Sequence, residues 1–371
     1  MTADAVVIGA GIVGAAVADA LTTSGVRVRV LETDFPGCGA TAAGMGHIVV
    51  MEDSPAQLAL TSYSRRLFDV LTGELPPQCE PDRCGTLWIA ADEAQLASAH
   101  AKVASLTAAG VAAEVIDAVS LREAEPALRG GLAGAVHVPH DSVVYPPGLC
   151  RFLLERAVGR GARVDAATHV QRIEPNAVVT TAGRLTAEYI INAAGVAAPE
   201  LMPALPVVPR KGHLVITDRY PDFCRHQLVE LGYMASAHSL TGSSVAFNVQ
   251  PRMTGQVLIG SSRELVGRDV SINRDIVARM LRRAAAFMPA LPRLSALRVW
   301  IGFRPATADK LPLIGRWDPI PGAWVAAGHE GLGITTALGT ARLLVDSMLG
   351  IPTAIDAASF SPLRSLASVV R

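Results

Sequence analysis

The chain has 371 residues, of which 50% are hydrophobic and 18% are charged. This length predicts two or three domains, at about 150 residues per domain, with enough apolar side chains for a large core. The 33 basic and 33 acidic residues balance, so charge gives no reason to expect binding to nucleic acid or to an acidic membrane surface. The five cysteines form neither a CxxC pair nor a Cys/His cluster, which predicts reduced thiols and no metal site.

The first apolar stretch does not have the pattern of a signal peptide or a membrane span. It lacks a preceding basic region, it contains Asp19, and its glycines have the spacing of a nucleotide-binding turn. We therefore expect a cytoplasmic protein without a transmembrane segment, soluble or attached peripherally to the inner membrane.

The N-terminus carries a dinucleotide-binding pattern. An apolar strand runs into Gly9-x-Gly11-x-x-Gly14, a helix follows, and a second apolar strand ends on Glu32. Gly9 permits a tight turn, Gly11 lets the backbone approach a pyrophosphate, and Gly14 lets the helix pack closely on the strand. The helix N-terminus favours phosphate binding, and Glu32 is placed to accept hydrogen bonds from a ribose. A glycine-rich turn without a ligand is the alternative.

A row of small residues, 40–46, follows the Glu32 strand and leads to His47. Small residues allow a flat or phosphorylated ligand to lie against the backbone. The alternative is a helix packed closely against a neighbour.

Further helices and strands are predicted between residues 54 and 195. Helix signals occur from Ser54-Pro55 to about Leu75, from Asp92 to Gly110, at the capping box Ser120-x-x-Glu123, and from Pro146 to Gly161. Strand patterns cover 85–90, 136–138, 142–145 and 162–173, with a hairpin of 177–184 and 185–191 that runs into Asn192-Ala193-Ala194-Gly195.

The pattern becomes β-rich from Lys211 to Trp300. Strands are predicted at 213–217, 228–233, 244–249 and 256–261, followed by a helix at 274–287. This predicts a second, antiparallel sheet, separate from the parallel one. The chain then returns to the first domain through a strand at 323–327 and a helix to Leu349.

Five motifs, in this order, resemble the D-amino-acid-oxidase-like flavoenzyme superfamily, in the branch of glycine and sarcosine oxidases. They are Gly9-x-Gly11-x-x-Gly14 with Glu32, Thr41-Ala42-Ala43-Gly44-Met45, Asn192-Ala193-Ala194-Gly195, Gly302-Phe303-Arg304-Pro305 and Gly328-His329-x-Gly331. The resemblance spans essentially the whole chain. In finer detail, 46–51 and 232–238 are most similar to the flavin subunit of D-hydroxyproline and opine dehydrogenases.

The resemblance implies an α/β fold with two parts. One is a Rossmann-like FAD-binding domain, and the other is a mainly antiparallel substrate domain. We assign 1–85, 142–207 and 301–371 to the FAD-binding domain, and 86–141 and 208–300 to the substrate domain.

The resemblance also implies FAD as the cofactor. Glu32 would hold the adenosine ribose, the backbone of Val170 would meet the adenine, and 331–335 would lie near the flavin N1 and C2 oxygen. The complete implied set is Gly9, Gly11, Ile12, Val13, Gly14, Glu32, Thr41, Ala42, Ala43, Gly44, Met45, Gly46, Val170, Ala194, Gly195, Arg304, Gly328, Gly331, Leu332, Gly333, Ile334 and Thr335.

Arg304 is implied to bind the substrate carboxylate, because a guanidinium fork matches that group; an ordinary surface arginine is the alternative. His47 and Tyr233 are further candidates for the catalytic pocket, although each could be an ordinary structural residue. Two departures from relatives point to a different pocket from that of glycine oxidase. The strand at 246–249 lacks the tyrosine that some relatives use for the carboxylate, and Glu330 stands where glycine oxidase has an arginine.

The implied activity is that of an FAD-dependent dehydrogenase acting on the C–N bond of a D-amino or imino acid. D-hydroxyproline and D-proline are the first candidates, with hydride transfer to flavin N5 and electrons passed to partner subunits or the respiratory chain. The alternatives are an oxidase producing hydrogen peroxide, an opine dehydrogenase subunit, and a subunit that holds FAD without catalysing a reaction.

Overall fold

The computed structural model describes residues 3–232 and 243–364. In chain order its strands are β1 (Ala5–Ile8), β2 (Val28–Leu31), β3 (His47–Ile48), β4 (Thr86–Ala90), β5 (Glu114–Asp117), β6 (Gly134–Val138), β7 (Ser142–Val143), β8 (Arg163–Asp165), β9 (Val170–Glu174), β10 (Ala177–Thr180), β11 (Gly183–Thr186), β12 (Tyr189–Asn192), β13 (Val208–Arg219), β14 (Gln227–Glu230), β15 (Ser244–Pro251), β16 (Gln256–Arg263), β17 (Ala296–Ala306), β18 (Leu313–Arg316) and β19 (Ala323–Ala327).

The described α-helices include long ones and single turns. They are α1 (Ile12–Thr23), α2 (Ala40–Ala43), α3 (Pro55–Leu71), α4 (Glu93–Ala108), α5 (Ala118–Ala124), α6 (Pro146–Gly159), α7 (Ala198–Leu201), α8 (Arg274–Phe287) and α9 (Gly333–Leu349). Short 3-10 turns occur at Thr72–Glu74, Pro77–Cys79, Gly195–Ala197, Leu291–Arg293 and Ala358–Phe360.

The first sheet has six strands in the order β18-β19-β12-β1-β2-β8. All its pairs are parallel except β18 with β19. On one face α1 packs against both α6 and α9, and the small sheet β9–β11 covers the other face through Val170 and Val178. This arrangement confirms the predicted Rossmann-like domain, with its strands buried on both faces.

The second sheet has eight strands in the order β17-β13-β16-β15-β14-β4-β6-β5. Its pairs are antiparallel apart from β14 with β4. One face packs on α8, where Phe247 stacks on Phe287 with ring centroids 4.4 Å apart. The predicted mainly antiparallel second sheet is therefore confirmed. The exact domain boundaries stay a prediction. Strand β17 runs across the boundary that was placed between residues 300 and 301.

The single strand predicted at 162–173 is wrong. The chain forms β8, which pairs with β2 in the large sheet, and β9, which pairs with β10 in the small one. Between them Ala167 has φ +51°, a left-handed turn that alanine rarely adopts and that its sequence does not signal.

Two further element boundaries differ from the sequence prediction. The helix expected to begin at Ser120 begins instead after Asp117, whose carboxylate accepts a hydrogen bond from the Ser120 N–H. The second half of the predicted hairpin ends at Thr186, because the following residues enter β12 of the parallel sheet.

None of the helices within 3–232 and 243–364 combines the length and the apolar character needed to cross a bilayer.

Candidate active site

A cavity of about 630 Å³ runs between the two sheets. It extends from Glu32 at the end of β2 to Arg304 on β17, and residues of both sheets line it. The residue predicted for the cofactor ribose and the one predicted for the substrate carboxylate thus lie along one cavity.

The glycine turn after β1 brings backbone segments into close contact. Gly9 has φ +100°, and a Cβ there would lie 2.7 Å from the Ala193 carbonyl oxygen. A Cβ on Gly14 would overlap with the Gly9 carbonyl oxygen. Only glycine fits both positions, and the result is an open helix N-terminus at the cavity wall.

Thr41 connects the second sequence motif to this turn. Its Oγ1 accepts a hydrogen bond of 2.9 Å from the N–H of Ile12, the first residue of α1. Both residues line the cavity. Thr41 thus holds the small-residue row against the glycine turn.

Glu32 has a fixed orientation. Its Oε2 accepts from the Ala10 N–H at 2.8 Å, and its Oε1 accepts from the Asp34 N–H at 3.0 Å. Two backbone donors therefore hold the carboxylate at the cavity wall, where it can accept from the hydroxyls of a ribose.

The other end of the cofactor wall is formed by the segment 43–47 and the start of α9. Gly44 leaves room for Ile334, whose Cδ1 would lie 2.7 Å from a Cβ at position 44. Thr335 Oγ1 donates to the His47 carbonyl oxygen at 2.8 Å. Met45 accepts a hydrogen bond of 2.8 Å from Gln250 Nε2, which connects this wall to the second sheet.

Two histidines of the site are neutral. Burial lowers the pKa of His47 to about 4, a shift that its contact with Gln250 only partly opposes. Burial also lowers the pKa of His329 to about 3, and its Nε2 lies 3.0 Å from Thr340 Oγ1. Neither imidazole carries a charge near neutral pH.

Arg304 lies in the wall that the second sheet contributes. It pairs across the strands with Arg210 of β13, and its Nη1 donates to the Ser262 carbonyl oxygen at 2.9 Å. The guanidinium occupies space that Gly212 leaves, since a Cβ there would overlap with it. The backbone of two neighbouring strands thus positions the arginine.

Glu330 has cationic neighbours that the sequence did not reveal. Its Oε1 is 3.3 Å from Arg210 Nη1 and 3.9 Å from Arg263 Nε. Burial alone would raise the pKa of this carboxyl, but the charges of Arg263, Arg304 and Arg210 outweigh it and hold the pKa below its usual value. The sequence feature that could have indicated this ion-pair cluster is a carboxylate within the glycine-rich segment 328–333.

Four polar side chains of the cavity lining were also missed. Trp88, Gln227, Asn248 and Ser261 lie on the second sheet. Their Nε1, Oε1, Oδ1 and Oγ atoms are buried and have no hydrogen-bond partner among the described residues. The sequence feature that could have indicated these cavity residues is a polar residue within an apolar strand, as in Phe247-Asn248-Val249.

The structure brings most of the predicted site residues to this one cavity. The lining includes Gly9, Gly11, Ile12, Val13, Glu32, Thr41, Ala43, Gly44, Met45, Gly46, His47, Val170, Ala194, Gly195, Arg304, Gly331, Leu332, Gly333 and Ile334.

Four predicted cofactor residues do not line the cavity: Gly14, Ala42, Gly328 and Thr335. Gly14 packs beneath the turn, and Thr335 ties α9 to His47. Gly328 has φ +78°, and Ala42 is exposed. The prediction for Tyr233 falls outside the described residues.

The residues along the cavity fit FAD. A carboxylate for a ribose lies at one end, the N-terminus of α1 follows, and the N-terminus of α9 lies near the other end. These are the groups that bind an adenosine, a pyrophosphate and an electron-accepting ring, respectively.

Comparisons with known proteins agree with this fit. The family model described as "FAD dependent oxidoreductase" (DAO) matches residues 4–347. Glycine oxidase of Pseudomonas aeruginosa is 28% identical over 98% of this chain and 99% of its own length. The D-amino acid dehydrogenase of Chromohalobacter salexigens is 29% identical over 80% of this chain and 71% of its own length.

A solved structure shows the same architecture. Glycine oxidase from Geobacillus kaustophilus has a TM-score of 0.88 at 26% identity, covering 99% of this chain and 100% of that one.

Proposed function

The chain belongs to the DAO family of FAD-dependent oxidoreductases, and from this premise we propose that it dehydrogenates a D-imino acid, with cis-4-hydroxy-D-proline and D-proline as first candidates. Action on an amino-acid C–N bond with FAD as cofactor is common to the family and to its glycine oxidase relatives. The proposal concerns the substrate and the electron acceptor.

The position of Arg304 carries the proposal. Its guanidinium lies in the wall of the cavity, held by the Ser262 carbonyl over the space at Gly212. A planar guanidinium binds a carboxylate through two parallel hydrogen bonds, which fixes orientation as well as position.

The chain's own residues position the substrate. When bound, FAD supplies the hydride acceptor. Arg304 orients the substrate by its carboxylate, while Val229 and Leu214 present apolar surface to the cavity. His47 and His329 are neutral and add no charge to the site. Positioning of this kind provides a large part of a rate enhancement without an acid–base pair.

Two observations support a D-imino acid. The D-amino acid dehydrogenase of Chromohalobacter salexigens is 29% identical to this chain. The segments 46–51 and 232–238 resemble those of D-hydroxyproline and opine dehydrogenases. An opine, which also carries an amine beside a carboxylate, is therefore the next substrate class.

For the electron acceptor we propose partner subunits or the respiratory chain. All five cysteines are free and none lies in a Cys-rich cluster, so this chain offers no thiolate set for an iron–sulfur relay. The second candidate is an oxidase that passes electrons to oxygen. It is favoured by the likeness to glycine oxidases over nearly the whole chain.

An anaerobic titration tests these proposals. The purified protein receives cis-4-hydroxy-D-proline, D-proline, octopine, sarcosine, glycine or D-alanine while its visible flavin band is followed. We expect rapid bleaching by a D-imino acid and slow recovery in air. Bleaching by glycine alone would contradict the substrate, fast recovery in air with peroxide would identify an oxidase, and bleaching by none would favour a subunit that holds FAD without catalysis.

A further inference from the structure

We propose that Asn248 and Gln227 bind a hydroxyl group of the substrate. Both residues lie in the cavity wall that the second sheet contributes, away from Arg304. The inference rests on the proposed function and deepens it, because it names the residues that distinguish a hydroxylated ring from an unsubstituted one.

Burial and missing partners mark these two amides. Asn248 is 6% exposed and Gln227 is 1% exposed, and both line the cavity. The Asn248 Oδ1 and the Gln227 Oε1 accept no hydrogen bond from the described residues. A buried carbonyl oxygen without a donor is destabilising, so a ligand that supplies a donor is favoured there.

Sheet register places the two amides side by side. Val229 of β14 pairs with Asn248 on one side and with Trp88 on the other. Gln227 lies two residues before Val229, so its side chain is on the same face as that of Val229. The two amides are thus diagonal cross-strand neighbours, close enough to share one small group.

Trp88 adds a hydrogen-bond donor to the same patch. Its Nε1 is buried and has no acceptor among the described residues. The unpartnered atoms of the patch are therefore two acceptors and one donor around Val229. A hydroxyl both donates and accepts, whereas a carboxylate only accepts and a methylene does neither. The polar complement of the patch is that of an alcohol.

The distance from the carboxylate site suits a small ring. Val215 of β13 and Val249 of β15 both pair with Ile259 of β16, so Leu214 is level with Asn248, two strands away. Gly212, which lies beside the Arg304 guanidinium, is two residues before Leu214. Strand spacing and rise convert this to about 12 Å between the two Cα atoms. Side chains from both ends shorten that span, and a five-membered ring with hydrogen bonds of about 2.8 Å at each end fits it.

The substrate amine is a weaker candidate for the same patch. It is attached to the carbon that bears the carboxylate, so binding of the carboxylate at Arg304 keeps it near that end. The hydroxyl of a 4-hydroxylated ring is attached to a carbon that is bonded neither to the nitrogen nor to the carbon that bears the carboxylate. The two possibilities predict different kinetics.

The test compares Asn248→Leu and Gln227→Met with the wild-type FAD enzyme on cis-4-hydroxy-D-proline and D-proline. Leucine keeps the branched shape of asparagine and methionine keeps the length of glutamine, and both substitutions remove the amide. We expect the ratio of kcat/KM for the hydroxylated over the plain ring to fall about tenfold or more, mainly through KM, with D-proline turnover kept. Leu228→Met, a volume-conserving change on the other face of β14 that does not line the cavity, is the control and should leave the ratio unchanged.

Three outcomes overturn the inference or its premise, and they are distinguishable. Equal losses on both rings would place the amides at the amine or carboxylate, and an unchanged ratio would exclude contact with the hydroxyl. If the wild type oxidises neither ring, the proposed substrate is wrong. The rise in melting temperature caused by each ring then decides the binding question: a hydroxyl-dependent rise lost in Asn248→Leu supports the site, and an equal rise in both proteins overturns it.

Discussion

The two sheets contribute to the cavity in different ways. The parallel sheet presents backbone: the glycine turn, the N-terminus of α1 and the donors that hold Glu32 all come from the first 34 residues. The antiparallel sheet presents side chains from strands far apart in sequence, among them Trp88, Asn248 and Arg304. A backbone site tolerates almost no substitution, whereas a side-chain site can change its ligand by exchanging single residues.

The strongest test of this contrast is Gly14→Ala. The added Cβ would overlap with the Gly9 carbonyl oxygen, a backbone atom that cannot move without opening the turn. We expect loss of bound FAD and of most of the soluble protein, measured as the ratio of flavin to protein absorbance and as the melting temperature.

Gly159→Ala is the matched control for that substitution. Gly159 ends α6, and a Cβ there would meet nothing within 4 Å, so alanine should be neutral or slightly stabilising. A Gly14→Ala protein with full FAD and an unchanged melting temperature would show that the turn is more compliant than its contacts indicate.

The second test, Arg304→Lys, addresses a side chain of the other sheet. Lysine keeps the positive charge but loses the two-pronged geometry. We expect FAD content to stay normal and kcat/KM to fall about 100-fold, because one hydrogen bond to a charged group is worth about 1.5–3 kcal/mol. Steady-state rates and flavin content measure the two effects.

Arg298→Lys on the same strand, whose guanidinium lies 5.6 Å from the Trp300 ring, is the control for charge and strand position. If Arg304→Lys lost FAD rather than turnover, Arg304 would belong to the cofactor half of the site.

The same contrast explains what could be predicted from the sequence. The Gly9 to Glu32 unit, β19 and α8 follow local patterns, and the structure has them where those patterns occur. Local patterns did not reveal the turn at Ala167, because an alanine with φ +51° carries no turn signal. The pattern at Ser120 was also misleading, because Asp117 three residues earlier caps the helix.

The side-chain half of the site depends on strand order, which no local pattern gives. Trp88 and Asn248 both lie beside Val229 only because β14 inserts between β4 and β15. Glu330 meets Arg210 and Arg263 through strands more than 60 residues away. Arg304 was found because its motif resembles that of a known family, not because its surroundings could be derived.

The third test concerns Asp141, the residue directly before β7. Burial raises the pKa of this carboxyl to about 7, and Thr86 with the charges of Arg65 and Lys102 opposes the shift only in part. Between about pH 4 and 7 the folded protein keeps a proton that the unfolded chain has released, so this group lowers stability as pH rises through that window.

Asparagine cannot ionise, so Asp141→Asn should be more stable than the wild type at pH 8, and its advantage should grow by about 2 kcal/mol between pH 5 and pH 8. Thermal or urea unfolding of both proteins at the two pH values measures this difference. A constant difference across the range would mean that Asp141 is ionised throughout.

The smallest expected effect is that of His47→Gln, which tests whether a side chain on the cofactor wall takes part in proton transfer. Because burial lowers the pKa of His47 to about 4, the imidazole is neutral from pH 5.5 to 9 and cannot produce an inflection in that range. Glutamine keeps a hydrogen-bonding side chain, so we expect kcat/KM to fall at most about tenfold, the worth of one neutral hydrogen bond. The pH profiles of the two proteins should have the same shape. If an acidic limb between pH 6 and 7 in the wild type disappeared in the variant, His47 would be a proton-transfer group, and the cofactor wall would contribute chemistry as well as backbone.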